Sequence, residues 1–258
     1  MTVYFIGAGP GDPELITVKG QRLLRSCPVI LYAGSLVPQA VLDGHSAHSV
    51  VNTAELHLDE IIALIHAAHA KGQDVARVHS GDPSLYGAIG EQIRHLRRLS
   101  IPFEIVPGVT AVAACAALLE SELTLPQVSQ TVILTRFASK SPMPPGEELH
   151  ELARHGATMA IHLGVHHLQK IVEELLPHYG VDCPIAVIHR ASWPDQDWVS
   201  GTLSDIAEKV RAKGFRRTAL IIVGRVLGAE DFADSALYNQ ATPHLFRPAD
   251  AAGSTDSD

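Results

Sequence analysis

The chain is short of the features by which a sequence most readily declares its chemistry. Its 258 residues hold three cysteines, Cys27, Cys115 and Cys183. They lie far apart, without metal-type spacing, and so odd and sparse a set fits a reducing compartment, which makes the cytoplasm the expected location. No apolar run approaches the length that crosses a bilayer, and the N-terminus reads as a strand rather than a basic segment with a cleavage site. No membrane partner is expected. Positive charge is in deficit too. Lys and Arg number 20 against 28 Asp and Glu, for a net charge of −8, which argues against nucleic acid as a partner. Histidine is plentiful, with 15 residues, but His66 with His69 and His166 with His167 lack the carboxylate or cysteine that would complete a ligand set. No metal is expected. What remains, 46% hydrophobic and 19% charged residues, describes a globular protein with a real core, long enough for one large or two small domains.

The most informative absence is a single glycine. Residues 3–14 read Val-Tyr-Phe-Ile-Gly-Ala-Gly-Pro-Gly-Asp-Pro-Glu, strand formers running into a glycine-rich turn and then a helix start. Such a turn lets the backbone approach a ligand closely. Asp12 suits an N-cap, Pro13 the first helical position and Glu14 the positive helix end. The dinucleotide fingerprint G-x-G-x-x-G fits at Gly7 and Gly9 and fails at Asp12, where a glycine would let helix and strand close around a pyrophosphate. A carboxylate there repels phosphate. Tyr32-Ala33-Gly34 also lacks the acidic residue with which a nicotinamide enzyme ends its second strand. The loop suits a small ligand that is not a diphosphate.

Beyond this turn, β-rich runs alternate with amphipathic helices. Residues 29–31 and 75–78 read as strands, and Leu58, Ile61, Ile62, Ile65 and Ala68 recur at helical spacing before Gly72. His79-Ser80-Gly81-Asp82-Pro83 repeats the Gly-Asp-Pro of residues 11–13 at another strand end. A helix is expected directly after it, with Leu85, Ile89, Ile93, Leu96 and Leu99 as its buried stripe and Arg94, Arg97 and Arg98 on its wet face. Residues 103–106 form a fourth strand, ending in Pro107-Gly108-Val109-Thr110 before a small-residue helix over 111–119. Loops that follow strands and open helices gather at one edge of a parallel sheet, where α/β proteins bind ligands.

A polar stretch over 120–130, carrying Pro126, marks a domain boundary. Residues 1–120 make the first domain, 121–228 the second and 229–258 a tail. Residues 249–258 look disordered, while Leu237, Tyr238 and Phe246 are candidates to pin the rest. In the second domain strands are expected at 131–135, 158–163, 185–189 and 219–223, with helices near 147–154, 165–176 and 204–213. Residues 198–202 read as an extra strand turning back through Trp193-Pro194-Asp195, which makes this sheet mixed. Residues 139–146, with their prolines, form a surface loop.

Gly-Ala-Gly-Pro-Gly-Asp-Pro at 7–13, His-Ser-Gly-Asp-Pro at 79–83 and Pro-Gly-Val-Thr-Ala at 107–111, in this order and at these spacings, resemble the tetrapyrrole methylases. The resemblance spans about residues 2–227. It implies two α/β domains, the first with a largely parallel sheet and the second with a mixed one, and S-adenosylmethionine bound as methyl donor in the cleft between them. It implies a small-molecule tetrapyrrole substrate, and a homodimer to which Val112, Ala113, Ala116 and Ala117 offer a small-residue helix surface. Within the family, Tyr32 to Val37, Thr53 to Leu58, Thr131 to Arg136 and Arg190 to Asp195 look most like the branch that methylates C11 of a cobalamin precursor. Other branches act at other ring carbons or on RNA and stand as alternatives. Ala33 and Gly34 occupy the place of an aspartate that has been considered as a base in the uroporphyrinogen-III branch.

Carried over position by position, the resemblance places cofactor contacts at Pro10, Ser80, Gly81, Asp82, Thr110 and Ala111. From the second domain it adds Leu163, Ala191, Ala219 and Leu220. A nucleoside and a sulfonium need no phosphate cradle, so a cleft lined mostly by backbone suffices. Implied substrate contacts are Glu55, His57, Tyr86, Arg136 and Trp193. The many carboxylates of such a substrate also make Arg77, Arg136, Arg190 and nearby histidines candidate anion partners. Transfer to an electron-rich ring carbon asks for in-line positioning and exclusion of water, so neither a triad nor a catalytic metal is expected and no general base is assigned. Asp12 and Asp82 read first as helix caps, and Trp193 more readily packs than serves as a substrate platform.

Overall fold

A computed structural model describes residues 1–139, 141–237 and 242. Tyr238, Phe246 and the segment 249–258 lie outside the described residues. Two five-stranded sheets follow one another along the chain. The first is built from β1 (Val3–Gly7), β2 (Val29–Tyr32), β3 (Ser49–Asn52), β4 (Val75–His79) and β5 (Phe103–Val106). Its helices are α1 (Val18–Ser26), α2 (Leu58–Ala70) and α3 (Ile89–Arg98), and α4 (Ala111–Leu118) follows β5. The second comprises β6 (Val132–Arg136), β7 (Thr158–His162), β8 (Pro184–His189), β9 (Asp197–Thr202) and β10 (Ala219–Val223), with α5 (Leu149–Ala153), α6 (Leu168–Tyr179) and α7 (Ile206–Lys213).

The first sheet has the order β3-β2-β4-β1-β5, and every pairing is parallel. Helices cover both faces, which is why its central strands β1 and β4 are buried almost throughout rather than on alternate residues. Val3, Phe5, Leu31 and Val75 pack with α2 and α3, while Ile6, Ile30, Ala76 and Val78 turn to the α1 side. The ladder places the carboxyl ends of β1, β4 and β5 side by side, so the loops that follow them share one edge.

Three local expectations need correction. The turn after β1 does not open an α-helix. Asp12 Oδ1 accepts from Glu14 N–H at 2.8 Å, but the turn over Pro13–Leu15 is a single 3-10 one. Extended backbone at Ile16 and Thr17 then intervenes, and α1 starts only at Val18, capped by the Thr17 hydroxyl. Nor does α3 reach back to Leu85. Tyr86 and Ala88 adopt left-handed backbone, with φ of 57° and 50°, which the helix cannot continue through. Its stripe is Ile89, Gln92, Ile93 and Leu96, and Leu99 is an exposed C-cap. Finally, β3 was not anticipated. Its four residues form a half-exposed edge strand in which only Val50 and Val51 favour β structure.

The second sheet runs β6-β7-β10-β8-β9, with β6 and β7 parallel and the other pairs antiparallel. It is mixed, and β9 returns from β8 through residues 190–196 as the turn residues suggest. Met159, Ile161, Val187, Ile221 and Val223 pack on one face with residues of α5, α6 and α7. The other face presents Ala160, Ala186, Ile188, Leu220 and Ile222 to Val112 and Cys115 of α4. Small residues on both sides let helix and sheet come close, and α4 thereby joins the two halves. Val112 is spent in this contact, leaving Ala113 and Ala117 exposed on the helix surface suggested for self-association. Among the described residues, no helix is long and apolar enough to cross a membrane.

Candidate active site between the two sheets

The loops at the carboxyl edge of the first sheet face the second sheet across a cavity of about 420 Å³. Gly9 and Gly81 bridge their loops backbone to backbone, with Gly81 N–H donating to the Gly9 carbonyl at 2.7 Å. The third loop is just as close. A β-carbon on Gly7 would come within 2.6 Å of the Gly108 Cα and 2.7 Å of the Gly81 carbonyl oxygen, so only glycine permits this approach. Asp82 ties the second and third loops together. Its Oδ2 accepts from Gly108 N–H at 2.9 Å, and its Oδ1 accepts from the Ser84 amide and hydroxyl. Partial burial opposes the charge, but the hydrogen bonds from Ser84 and Gly108 outweigh it and hold the carboxyl below its ordinary range. Thr110 caps α4 by accepting from Ala113 N–H at 3.2 Å.

Every expected cofactor position lines this cavity: Pro10, Ser80, Gly81, Asp82, Thr110, Ala111, Leu163, Ala191, Ala219 and Leu220. Of the expected substrate residues, Tyr86 and Trp193 line it, and Glu55, His57 and Arg136 do not. Glu55 and His57 are exposed on the turn before α2, where His57 N–H donates to Glu60 Oε2 at 2.8 Å. Arg136 spends its guanidinium on the carbonyls of Phe137, Ser141 and Pro142, yet its charge is felt at Tyr86. Arg190 lines the cavity. Arg77 is not available to an anion. It is buried beneath the sheet, donating to Gln92 Oε1 at 3.1 Å and to the Leu31 carbonyl at 3.2 Å.

Trp193 closes the cavity on the second-sheet side. Its indole N–H donates to the Pro10 carbonyl at 2.8 Å, and Asp12 N–H donates to the neighbouring Ser192 hydroxyl at 3.0 Å. The Arg190 guanidinium lies 4.0 Å from the indole centroid and pairs with Asp195 at 3.0 Å. With its N–H and one face committed, Trp193 positions the first loop rather than offering a free platform. Left-handed backbone gathers here too: Tyr86, Leu163, Arg190 and Thr218 have φ of 57°, 56°, 51° and 52°, at about 1–2 kcal/mol for each such residue. Strain of this kind collects where a structure holds residues for a ligand.

Residues of the lining that sequence reasoning did not assign to this site include Ala33, Leu36, His79, His162, His166 and Arg217. His79 ends β4, is 4% exposed, and is pushed down to about 3 by burial and by Arg77. His162 ends β7, packs at a tilt against Tyr86 with ring centroids 5.0 Å apart, and is pushed down to about 4 by burial. The Nε2 atoms of both, and Nε of Arg190, are buried without a hydrogen-bond partner among the described residues. The available signal was position, since each histidine is the last residue of a strand pointing at the cleft. Among the described residues, no three His, Cys, Asp or Glu side chains group so as to hold a metal. A cavity of about 570 Å³ lies elsewhere, between the end of α4 and the edge strand β9, and holds none of the motif residues.

The family described as Tetrapyrrole (Corrin/Porphyrin) Methylases matches residues 2–207. The chain belongs to the tetrapyrrole methylases. Among relatives of this methylase, the precorrin-4 C(11)-methyltransferase of Pseudomonas aeruginosa is 75% identical over 248 residues, covering 96% of this chain and 99% of the relative. The cobalt-precorrin-4 C(11)-methyltransferase of Methanocaldococcus jannaschii is 49% identical over 95% of each chain. In three dimensions the fold matches a cobalt precorrin-4 methyltransferase of cobalamin biosynthesis with a TM-score of 0.86 and 43% identity, over 88% of this chain and 96% of that one. It also matches uroporphyrin-III C-methyl transferase from Thermus thermophilus complexed with S-adenyl homocysteine, with a TM-score of 0.72 and 32% identity over 88% and 99%.

Proposed function

We propose that this chain methylates C11 of precorrin-4, or of its cobalt form, with S-adenosylmethionine as donor, giving precorrin-5 on the way to cobalamin. The observation that carries the proposal is the 75% identity with the Pseudomonas aeruginosa precorrin-4 C(11)-methyltransferase over nearly the whole of both chains. The lining of the cavity supports this choice of donor. Leu163, Ala191 and Leu220 offer an apolar slot for a flat base beside loops whose backbone approaches closely. The ionised Asp82 on the wall tolerates a sulfonium and disfavours a diphosphate. S-adenosylmethionine, when bound, supplies a methyl group on positively charged sulfur, which an electron-rich ring carbon can attack.

The chain's own contribution is positional. Gly9, Gly81 and Gly108 bring the loops into register, and Trp193 pins the first loop to the second sheet. The buried apolar wall of Cys115, Ile188 and Leu220 keeps water from the reacting atoms. Domains over 1–120 and 121–228 would then meet at the cavity. We also propose a cytoplasmic homodimer, for which light scattering should give twice the chain mass of 27.7 kDa. The deciding experiment is incubation with precorrin-4 and S-adenosylmethionine carrying a ¹³C-labelled methyl group, followed by carbon NMR. Label at C11 is expected. Label at another ring carbon, or none with an active substrate preparation, would refute the assignment.

A further inference from the structure

A cavity of about 420 Å³ holds one ligand of nucleoside size. A tetrapyrrole with its acid side chains does not fit beside it and must meet the methyl donor at the mouth. That mouth is apolar. Leu36, Tyr86 and Leu163 line it while exposing 41%, 46% and 65% of their surface, the kind of exposed patch that marks a ligand groove. Tyr86 and Leu163 also hold left-handed backbone, so the protein bears a conformational cost to present them.

Against the Tyr86 ring lies the imidazole of His162. Alternation along β7 sends Met159 and Ile161 into the core beneath α6, and Ala160 to the opposite face, toward α4. His162 shares the face of Ala160 and so looks toward the first sheet. Its Nε2 is buried without a partner, an omission that ordinarily costs about 1–3 kcal/mol. Among the described residues nothing satisfies it, and a ligand can. Burial keeps the ring uncharged at neutral pH, so it offers a hydrogen bond rather than a charge. That suits a ring nitrogen better than a carboxylate, for which Arg217 on the same cavity is the natural partner.

Resting on the methyl-transfer reading above, we propose that His162 is a substrate-positioning residue, which together with Tyr86 seats the tetrapyrrole at the cavity mouth and hydrogen-bonds a ring nitrogen, while Leu36 and Leu163 flank the macrocycle. His162→Phe keeps the ring contact with Tyr86 and removes the nitrogens; His162→Gln restores a donor and an acceptor.

Calorimetry should give His162→Phe an affinity for S-adenosylhomocysteine within about twofold of wild type, while kcat/KM for precorrin-4 falls at least about tenfold, mainly through KM. His162→Gln should recover most of that loss. Unchanged kcat/KM in His162→Phe, loss of S-adenosylhomocysteine binding in step with activity, or failure of His162→Gln to recover would each overturn the proposal. A second arm measures binding of unreactive uroporphyrin by fluorescence quenching, where His162→Phe should again be the weaker. Wild type that binds uroporphyrin through His162 but does not methylate precorrin-4 would retain the seat and refute the C11 assignment. Equal uroporphyrin binding by wild type and His162→Phe would refute the seat.

Discussion

The two sheets address the same cavity by different means. The first brings backbone: Gly9 and Gly81 hydrogen-bond each other, Gly7 touches Gly108, and Asp82 ties one loop to the next. The second brings side chains from strand ends and the turns after them, with His162, Leu163, Arg190 and Trp193 held by unusual backbone and by one another. A wall made of backbone depends on glycine and on caps, and changes there should act on the proposed donor slot as a whole. A wall made of side chains can be altered group by group.

The largest effect should therefore come from the first sheet. Gly81 has φ of 62°, and a β-carbon there would find no atom nearer than 3.9 Å. It would meet open cavity while the backbone favours glycine alone. Gly81→Val should lower affinity for S-adenosylhomocysteine about 100-fold or more and cost roughly 1–3 kcal/mol of stability, read by calorimetry and denaturant unfolding. Normal cofactor affinity in this variant would mean that the second loop is not part of the slot.

A smaller effect is expected where the sheets touch. Trp193→Phe preserves an aromatic ring under Arg190 and deletes the hydrogen bond to Pro10. Cofactor affinity should fall about three- to tenfold, in keeping with one lost hydrogen bond, with the fold intact by circular dichroism. Affinity equal to wild type would show that Trp193 does not position the first loop.

The smallest effect is on stability with pH, and both sheets share it. His79 and His162 ordinarily titrate near 6.5 but are held down to about 3 and about 4 in the fold. Between these values and 6.5 the unfolded chain binds protons that the folded chain does not, so acid favours unfolding. Their contribution is complete above pH 6.5 and is lost as pH falls toward 4. The melting temperature should drop between pH 7 and 5, and less steeply in His162→Phe. Identical slopes for variant and wild type would place His162 in a wetter setting than the cavity wall.

The same contrast explains what could be read from the amino acids. Positions where backbone meets backbone require glycine, and capped turns require Asp, Thr or Pro, so the three first-sheet loops announced themselves as motifs at 7–13, 79–83 and 107–111. Parallel strands buried on both faces were equally plain. His162 and Arg217 carry no such requirement, because nothing in their neighbours' identity says that the backbone turns left-handed at Leu163 or Thr218. Arg77 misled for a related reason. It sits two residues before the motif as a charged group in a strand, and only the presence of Gln92 across from it shows the guanidinium to be internally satisfied. The late start of α3 was hidden as well, since Leu85 fits the helical period that Tyr86 and Ala88 interrupt.

That one donor slot is built jointly by both sheets is tested most directly by hydrogen–deuterium exchange with and without S-adenosylhomocysteine. The amides of 8–12, 80–84 and 108–112 in the first sheet's loops should gain protection together with those of 162–164, 190–193 and 218–220 in the second. Protection confined to one sheet, or centred on 118–121 and 198–201 around the other cavity, would contradict it.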